Sequence, residues 1–488
     1  MPLKRPLPQC VRWLRWQLSV FSDRISPAHC PDRLTPGVPG RWPSPYEQAN
    51  RPMNNPTTSA PRVAVIGGGI SGLATAHRLA ELAPQLSVTL VDRADRVGGV
   101  LQTAEQDGFL FEWGPDNFIT NVPWGIALCR RIGFADQLLE TDDQHRGAFV
   151  VRRGRLHRIP QGFIIMAPSR MWPVVTTPIL SPWGKLRMAA EFFVPPRREE
   201  GDESLAAFVT RRFGQETYDR LVQPLIGGIY TGDPRLLSLQ ATMPRFREME
   251  QGHGSLIRAI MRQVGRRTSA DRNSSGGRYS MFVAPRRGMF SLVQAVADRL
   301  PAGTIRLGAG VRRIMQQNGV WTLELEGRHP PLPAFDAVVL ATPAKATAEL
   351  IQPLDGILSD QVSQIHHSSC CIVSLAYQRD QVSHPMDGFG FVVPAVEQRE
   401  IISGSFASVK YPGRAPDGHV LLRVFIGGAL QEELLELPEV IAIGDDGVVR
   451  VALFLAQRAQ KVVYTLLHCQ LPSVCTPEAT ALFYHHFA

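Results

Sequence analysis

The stretch Arg62-Val-Ala-Val-Ile66, followed directly by Gly67-Gly-Gly-Ile-Ser-Gly72, decides the fold class. Its first five residues are mostly apolar and β-branched, as in a buried parallel strand. Residues 73–82 form a predicted helix, and Ser87–Val91 form a second predicted strand that ends at Asp92. This order of strand, glycine loop, helix, strand and acidic residue predicts a Rossmann-like α/β unit that binds a dinucleotide.

Each glycine of the loop has its own physical role in such a unit. Gly67 allows the tight turn, Gly69 lets a diphosphate approach the backbone, and Gly72 lets the helix pack closely on the strand. The helix N-terminus offers free N–H groups and the positive end of its dipole to the phosphates. Asp92 follows twenty residues after Gly72 and can accept hydrogen bonds from ribose hydroxyls.

Further glycine motifs follow this unit and indicate the cofactor. Arg93 and Arg96 precede the stretch Gly98-Gly-Val100, and the segment Gly114-Pro-Asp-Asn117 comes shortly afterwards. A nicotinamide domain needs no second glycine pair. Together with Gly67–Gly72 these residues resemble the FAD-binding oxidoreductases of the amine-oxidase type. In that family Asp92 is usually a glutamate, the second glycine pair passes the diphosphate, and the Gly-Pro loop faces the flavin ring.

The resemblance continues after the middle of the chain. Residues 286–292 precede a predicted helix, and residues 305–314 and 335–343 are predicted strands. In the family a residue at Val311 meets the adenine through its backbone, and the Thr342-Pro343 pair ends the strand beside the flavin. The resemblance therefore assigns the following residues to FAD: Gly67, Gly68, Gly69, Ile70, Ser71, Gly72, Asp92, Arg93, Arg96, Gly98, Gly99, Val100, Gly114, Pro115, Asp116, Asn117 and Val311.

One segment indicates which flavoenzyme this is. Gly227-Gly-Ile-Tyr-Thr-Gly-Asp-Pro-Arg-Leu-Leu-Ser-Leu239, preceded by Gln223-Pro224, resembles the oxygen-dependent protoporphyrinogen and coproporphyrinogen oxidases. The resemblance covers residues 61–435. It implies that FAD oxidises a porphyrinogen to a porphyrin in haem biosynthesis, with O2 as acceptor and H2O2 as product. It implies no side chain as catalytic acid or base, and it leaves protoporphyrinogen IX and coproporphyrinogen III open as substrates.

Substrate recognition is expected to combine an apolar slot with cations for the propionates. Arginine suits carboxylates because its planar fork donates two parallel hydrogen bonds. Arg146 is our candidate, among the arginines that also include Arg152, Arg153, Arg155 and Arg158. Asp116 and Asn117 of the flavin-facing loop are expected to touch polar groups of the substrate as well.

Composition limits the other classes of function. The net charge is +8, but residues 1–60 carry +5 of it, so the nearly neutral body gives no case for nucleic-acid binding. Its seven cysteines form no C-x-x-C pair, so we predict no metal site. No apolar run is long enough to span a bilayer. We expect a cytoplasmic protein. The proline-broken apolar stretch 159–183 suits either the core or substrate mouth of its domain or peripheral contact with a membrane surface, and both are left open. A homodimer is left open.

The ends of the chain differ from its body. Residues 1–60 hold eleven prolines and show no sustained period, which indicates a disordered extension or a true start at Met53. Residues 436–488 lack the glycine-rich strand and helix that complete the FAD site in the family. This tail leaves open an inactive flavoprotein remnant, and the superfamily resemblance separately leaves open an amine oxidase or a carotenoid desaturase. The predicted domains are an N-terminal extension (1–60), two FAD-binding parts (61–145 and 283–345), a substrate-side helical domain (146–282), a substrate sheet (346–435) and an atypical tail (436–488).

Overall fold

The computed structural model describes residues 60–435, except 121, 143–144, 146, 200 and 266–281, together with 462–463, 466–467 and 482–483. The expected N-terminal extension, most of the tail and Arg146 lie outside the described residues. Within them the chain forms a parallel sheet with helices, a larger mixed sheet and a helical insertion. The predicted fold class, a Rossmann-like FAD-binding domain with a mixed-sheet substrate domain and a helical insertion, is confirmed.

The strands in chain order are β1 (Arg62–Ile66), β2 (Ser87–Val91), β3 (Thr103–Gln106), β4 (Phe109–Glu112), β5 (Phe118–Ile119), β6 (Leu138–Glu140), β7 (Phe149–Arg152), β8 (Arg155–Arg158), β9 (Phe163–Ile164), β10 (Ala167–Pro168), β11 (Phe282–Pro285), β12 (Ile305–Arg306), β13 (Val311–Gln317), β14 (Val320–Leu325), β15 (Ala337–Leu340), β16 (Cys370–Gln378), β17 (Gly390–Val392), β18 (Ser403–Phe406), β19 (His419–Gly427) and β20 (Leu482–Phe483). The α-helices are α1 (Ile70–Leu82), α2 (Trp124–Arg131), α3 (Trp172–Thr176), α4 (Pro182–Ala189), α5 (Leu205–Phe213), α6 (Gln215–Thr217), α7 (Gln223–Tyr230), α8 (Leu239–Thr242), α9 (Pro244–His253), α10 (Leu256–Gly265), α11 (Met289–Ala297), α12 (Ala344–Ile351), α13 (Gly356–Ser363) and α14 (Ala407–Lys410).

The parallel sheet has the strand order β12-β2-β1-β15. The strand predicted over residues 305–314 is divided, since only Ile305–Arg306 pairs with β2, whereas β13 turns away and pairs antiparallel with β14. Val65 of β1 pairs with Leu90 of β2 on one side and with Val339 of β15 on the other. Helices α1 and α11 pack on this sheet and on each other around a core that includes Leu73 and Val293. The strands β1 and β2 have the predicted bounds. The helix starts at Ile70, one turn earlier than expected, because Gly69 is already its extended N-cap.

The mixed sheet has the strand order β20-β16-β19-β18-β17-β7-β8, with one parallel pair, β7 and β17. Its two long central strands, β16 and β19, pair over nine residues each. Alternate residues such as Val373 and Val424 enter a large core on one face of the sheet. The described pieces of the tail lie here, since Val463 and Leu467 join this core and β20 pairs with β16.

The helical insertion runs from α3 to α10 and has an apolar core of its own. Ser204 caps α5 by accepting a hydrogen bond from the N–H of Ala207, and Gly214 ends this helix at φ +89°. These are the boundaries that the sequence predicts. The insertion packs on the mixed sheet through Val150 and Val392.

Candidate flavin site

The glycine loop is held in a shape that only glycine allows at two positions. Gly67 has φ +110°, and a Cβ there would lie 2.6 Å from the carbonyl oxygen of Ala341. A Cβ on Gly72 would lie 1.8 Å from the carbonyl oxygen of Gly67, so helix and loop approach as closely as backbone permits. A Cβ on Gly69, in contrast, would meet no protein atom within 4 Å. The space in front of Gly69 is therefore open to a ligand.

The second glycine pair lies against the first loop. The N–H of Gly98 donates to the carbonyl oxygen of Gly68 at 2.8 Å, and Gly69 and Gly98 form an isolated parallel bridge. Arg96 stabilises this turn by donating to the carbonyl oxygen of Gly99 at 2.9 Å. The structure thus brings together the two glycine motifs that the sequence places thirty residues apart.

Asp92 lies at the end of β2, directly beside the loop. Its carboxylate accepts hydrogen bonds from the N–H of Gly68 and, at 2.8 Å, from the N–H of Ala94. The backbone N–H of Ala309 donates to the carbonyl oxygen of Asp92 at 2.9 Å, which brings the chain before β13 to the same edge. Val311, which the resemblance assigns to the adenine, starts that strand, and Arg93 is exposed nearby.

These features fit the diphosphate and adenosine parts of FAD. No described side chain caps α1, so the N–H groups of Ile70 and Ser71 are left for a ligand at the positive end of the helix. The open face of Gly69 gives a diphosphate access to that end. Asp92 follows Gly72 by twenty residues, which is the spacing at which the acidic residue of such a unit binds the ribose.

The Gly114-Pro115 turn follows β4 and joins this cradle. A Cβ on Gly114 would lie 2.1 Å from the carbonyl oxygen of Val100, so this position also requires glycine. Pro115 is exposed beside it. We name residues 114–117 the flavin-facing turn. This turn lies against Val100, which directly follows the glycine pair at residues 98–99. The glycine pair and the turn could therefore contact the same elongated ligand.

A buried polar cluster, which the sequence analysis missed, supports this turn from the mixed sheet. We name it the interdomain cluster, and its members are Glu112, Asp116, Asn117, Lys410, Tyr411, Arg414 and Arg423. Arg423 in the middle of β19 donates from Nη2 to the carbonyl oxygens of Gly114 and, at 3.3 Å, of Glu112. Its Nη1 lies 3.2 Å from Oδ2 of Asp116, and Nζ of Lys410 lies 3.6 Å from the same oxygen.

Charges in the cluster shift the pKa of both carboxyl groups, in opposite directions. Burial alone would raise the pKa of Asp116, but the charges of Lys410, Arg423 and Arg414 lower it to about 2. Burial raises the pKa of Glu112 to about 7, although Thr103 and the N–H of Met289 donate hydrogen bonds to its carboxylate. Asp116 is therefore an anion at neutral pH, whereas Glu112 exchanges its proton near pH 7.

Glu112 also joins the two separate stretches that the sequence assigns to the FAD-binding domain. It accepts from the N–H of Met289 at 2.7 Å, at the start of α11. Thr103 donates to Glu112 at 2.8 Å and accepts from the N–H of Phe290 at 3.1 Å. Gly288 has φ +81°, and a Cβ there would collide with Thr103 and Glu112. Residues 103–112 and 288–290 therefore fit together at this capped helix end.

One face of the mixed sheet forms a wall beside the turn. Strand register places Ser374 and Ser405 on either side of Arg423, and places Ile372 and Ser403 on either side of Phe425. Directly paired residues point to the same face of a sheet, so these side chains share the face of Arg423. The guanidinium of Arg423 lies 5.4 Å from the Phe425 ring centroid. Among the described residues, the buried hydroxyl of Ser374 has no hydrogen-bond partner.

Helix α7, which carries the Gly227–Tyr230 segment, packs on the same wall. A Cβ on Gly228 would lie 3.1 Å from Cγ1 of Val392 and 3.7 Å from Cβ of Ser403. Val392 pairs with Ser403, and Ser403 pairs with Phe425. Ile229 and Tyr230 at the end of the helix are partly exposed. The segment that resembles the porphyrinogen oxidases thus packs on the face of the mixed sheet that carries Arg423.

The residues that are predicted to bind substrate lie in different parts of the structure. Asp116 and Asn117 lie together, since Nδ2 of Asn117 donates to Oδ1 of Asp116. Arg152 is half-buried near Arg220, while Arg158 pairs with Asp387. Among the described residues, no hydrogen bond or ion pair joins this hairpin to the interdomain cluster. Asp116 is held by cations of the cluster rather than presented alone to a substrate.

Lys410, Arg414 and Arg423 are the site residues that sequence reasoning missed. Arg423 did leave a signal, because it is a lone charge in the apolar strand His419–Gly427. A charge in such a strand needs a buried partner. The partner, however, lies more than three hundred residues away in sequence and could not be identified without the fold.

Comparisons with known proteins agree with this geometry. The family model described as flavin containing amine oxidoreductase matches residues 70–443. The coproporphyrinogen III oxidase of Bacillus subtilis is 32% identical over 381 residues, which cover 77% of this chain and 79% of that protein. The chloroplastic protoporphyrinogen oxidase 1 of Arabidopsis thaliana is 28% identical over 407 residues, which cover 78% of this chain and 72% of that protein.

A solved structure agrees as well. The structure of a protein provisionally named a protoporphyrinogen oxidase, from Exiguobacterium sp. 255-15, superposes with a TM-score of 0.72 at 27% identity. The superposed part covers 85% of this chain and 84% of the Exiguobacterium chain. The family model spans well over half of the chain, and the open diphosphate cradle fits its cofactor. This chain is a member of the flavin-containing amine oxidoreductase family, and its cofactor is FAD.

Proposed function

We propose that this chain oxidises a porphyrinogen to a porphyrin in haem biosynthesis, with O2 as the final electron acceptor. One observation carries the proposal: helix α7, with its Gly227–Tyr230 segment, packs on the wall of the mixed sheet that also supports the flavin-facing turn. The names and coverage of the relatives support it too. The change removes six electrons, so three turnovers consume three O2 and release three H2O2.

The residues of the chain would bind, orient and shield in this reaction. The glycine loop and Asp92 would hold the diphosphate and ribose, and the flavin-facing turn would support the ring. FAD supplies the chemistry when bound, since it accepts a hydride from a methylene bridge of the macrocycle. Phe425, which is partly exposed on this face, would offer an apolar surface to a flat macrocycle, while α7 covers Val392 beside it. The gain of aromaticity favours the reaction, so no side chain is assigned as acid or base.

The decisive experiment is an assay of the purified, FAD-loaded protein in air. We expect porphyrin fluorescence to appear, with three H2O2 formed per porphyrin. Initial rates on protoporphyrinogen IX and coproporphyrinogen III then identify the substrate. A colourless protein that retains no FAD would support the inactive-remnant alternative, and turnover of amines or polyenes without porphyrin formation would support the amine oxidase or carotenoid desaturase alternative.

A matched pair of glycine variants ties activity to the cradle. Gly69→Ala adds a methyl group that meets no protein atom, so the fold is kept, but the methyl group occupies the space through which the diphosphate must approach. We expect FAD affinity and activity to fall about 100-fold or more. Gly252→Ala is the control, because its Cβ also meets nothing within 4 Å and lies in α9. Equal FAD affinity of both variants would contradict the assigned cradle.

We also propose that the helical insertion contacts a membrane surface. No helix among the described residues is long and apolar enough to cross a membrane. Consecutive elements of the insertion expose Trp172, Val175, Trp183, Leu186 and Phe193. Large exposed aromatic side chains beside Lys185 suit an interfacial site. In a vesicle sedimentation assay with anionic lipid, the double variant W183A/F193A should lose binding, whereas Leu236→Ala, an exposed residue outside this stretch, should not.

A further inference from the structure

Arg423 is the member of the interdomain cluster that reaches furthest into the flavin-facing turn. It is 2% exposed and belongs to the mixed sheet, yet its hydrogen bonds go to the backbone of residues 112 and 114. Its ion pair with Asp116 fixes the side of the turn that follows Pro115. One side chain thus determines both where the turn lies and how its carboxylate points.

Arg414 and Lys410, the other two cations of the cluster, make different contacts. Arg414 donates to the carbonyl oxygens of Pro285 at 2.9 Å and Arg286 at 3.2 Å, so it holds β11 rather than the turn. Lys410 reaches the turn only through Asp116, at 3.6 Å, and otherwise lies over the rings of Phe282 and Tyr411. Among the described residues, Arg423 alone donates hydrogen bonds to the backbone of the turn itself.

The cluster also holds buried polar atoms whose hydrogen bonds are incomplete. Oδ2 of Asp116 meets Arg423 and Lys410 as ion pairs at 3.2 and 3.6 Å, while Nε of Arg423 and the hydroxyl of Tyr411 have no hydrogen-bond partner in the described part of the chain. Buried polar atoms are usually paired. An unpaired Nε is shared with the buried Arg212 of the helical insertion, so the contacts of Arg423 with the turn, rather than its unpaired atom, distinguish it.

We propose that Arg423 is the positioning residue for the flavin ring: through it, the substrate-side sheet sets the position of the turn on which the ring rests. The proposal depends on the proposed function only in assuming that the turn faces the ring. Arg423 acts through the turn and through Asp116, and it takes no part in the transfer of hydride. Arg423 therefore sets the distance between the flavin ring and the wall of the mixed sheet.

Three variants of the FAD-loaded protein separate positioning from charge. Arg423→Gln removes both the guanidinium group and its charge. Arg423→Lys keeps the charge but loses the planar guanidinium that donates two hydrogen bonds. Lys410→Met removes a different charge and leaves the guanidinium of Arg423 intact. Readouts are the visible absorption band and fluorescence of bound FAD, the FAD dissociation constant, and kcat and KM for porphyrinogen.

We expect Arg423→Gln to shift the flavin band, to increase flavin fluorescence and to weaken FAD binding about tenfold. Its kcat should fall by up to about 100-fold with little change in KM, because a displacement of about 1 Å is enough for such a loss. Arg423→Lys should lie between this variant and the wild type, and Lys410→Met, which removes a charge near Asp116 but no hydrogen bond to the backbone of the turn, should shift the spectrum less than Arg423→Gln. If Arg423→Gln does not fold, the spectrum of Arg423→Lys decides.

Arg212→Met is the matched control, because Arg212 is an equally buried arginine in the helical insertion. It should lower stability without changing the flavin spectrum. The proposal is overturned if a folded Arg423 variant binds FAD with unchanged affinity, spectrum and kcat, or if Arg212→Met changes the spectrum as much. The spectral readouts need no substrate, so a wild-type protein that fails to oxidise porphyrinogen would refute the proposed function and still test Arg423.

Discussion

Two buried clusters of charge, one in the helical insertion and one beside the flavin-facing turn, are built on different principles. In the insertion, Arg212 lies among Glu191, Glu250 and the carbonyl oxygens of Val194 and Gly254. Glu191 in turn accepts from the N–H groups at the start of α10 and from Ser255. Both carboxylates and the Nη1 and Nη2 nitrogens of Arg212 have partners in the protein, while Nε of Arg212 has none among the described residues.

The cations of the interdomain cluster are directed to backbone as well as to carboxylates. Lys410, Arg414 and Arg423 face Asp116, which is ionised, and Glu112, which is half-ionised near neutral pH. Arg423 donates to the backbone carbonyl oxygens of residues 112 and 114, and the hydroxyl of Tyr411 has no hydrogen-bond partner among the described residues. A buried ionic group is tolerated when its hydrogen bonds are complete and is costly when they are not. The contrast teaches that the cluster of the insertion joins charges within one core, whereas the interdomain cluster joins a sheet to a turn.

The largest effect should come from breaking the cluster of the insertion. Arg212→Met leaves the carboxylate of Glu191 buried without its cation, although Glu250 keeps Arg211 at 2.6 Å, and we expect this to cost about 3–5 kcal/mol in the free energy of unfolding. Urea unfolding followed by tryptophan fluorescence measures it. Arg235→Met is the control, since Arg235 is mostly exposed in its pair with Asp233 and should cost less than about 1 kcal/mol. Equal losses in both variants would erase the contrast between the clusters.

A smaller effect, with a distinctive pH dependence, should come from Glu112. Its pKa is raised from 4.5 in the unfolded chain to about 7, so the folded protein binds this proton more tightly and loses stability as pH rises from 4.5 to 7. The groups that face it are Thr103, the N–H of Met289, Arg423 and Arg414. Glu112→Gln should remove this loss.

Relative to the wild type, Glu112→Gln should therefore gain about 2–3 kcal/mol between pH 5 and pH 8. Unfolding curves of the two proteins at both pH values measure the change. If the difference in stability between the two proteins does not vary with pH, then Glu112 has the same pKa in the folded and the unfolded chain. The carboxyl group of Glu112 would then be as well compensated as the carboxylates of the insertion.

The contrast also explains what the sequence could and could not predict. The strands at Arg62–Ile66 and Ser87–Val91, the glycine loop and the cap at Ser204 were predictable, because each depends on neighbours within a few residues. The helix start at Ile70 was placed one turn too late, because a glycine N-cap gives no side-chain signal. Arg423 and Lys410 were missed because their role depends on contacts across some three hundred residues. Arg146, chosen only for its residue type, lies outside the described residues and stays a prediction.

The smallest effect should come from an exposed pair, and it calibrates the two buried clusters. Nη2 of Arg158 lies 2.5 Å from Oδ2 of Asp387, as close as many buried pairs, but both side chains are nearly half exposed. Water and salt screen such a pair, so a double-mutant cycle of Arg158→Ala and Asp387→Ala should give a coupling below about 1 kcal/mol that declines in 1 M salt. A coupling as large as the loss in Arg212→Met would mean that distance, rather than completeness of burial and hydrogen bonding, sets the energies, and the distinction between the clusters would then have no energetic basis.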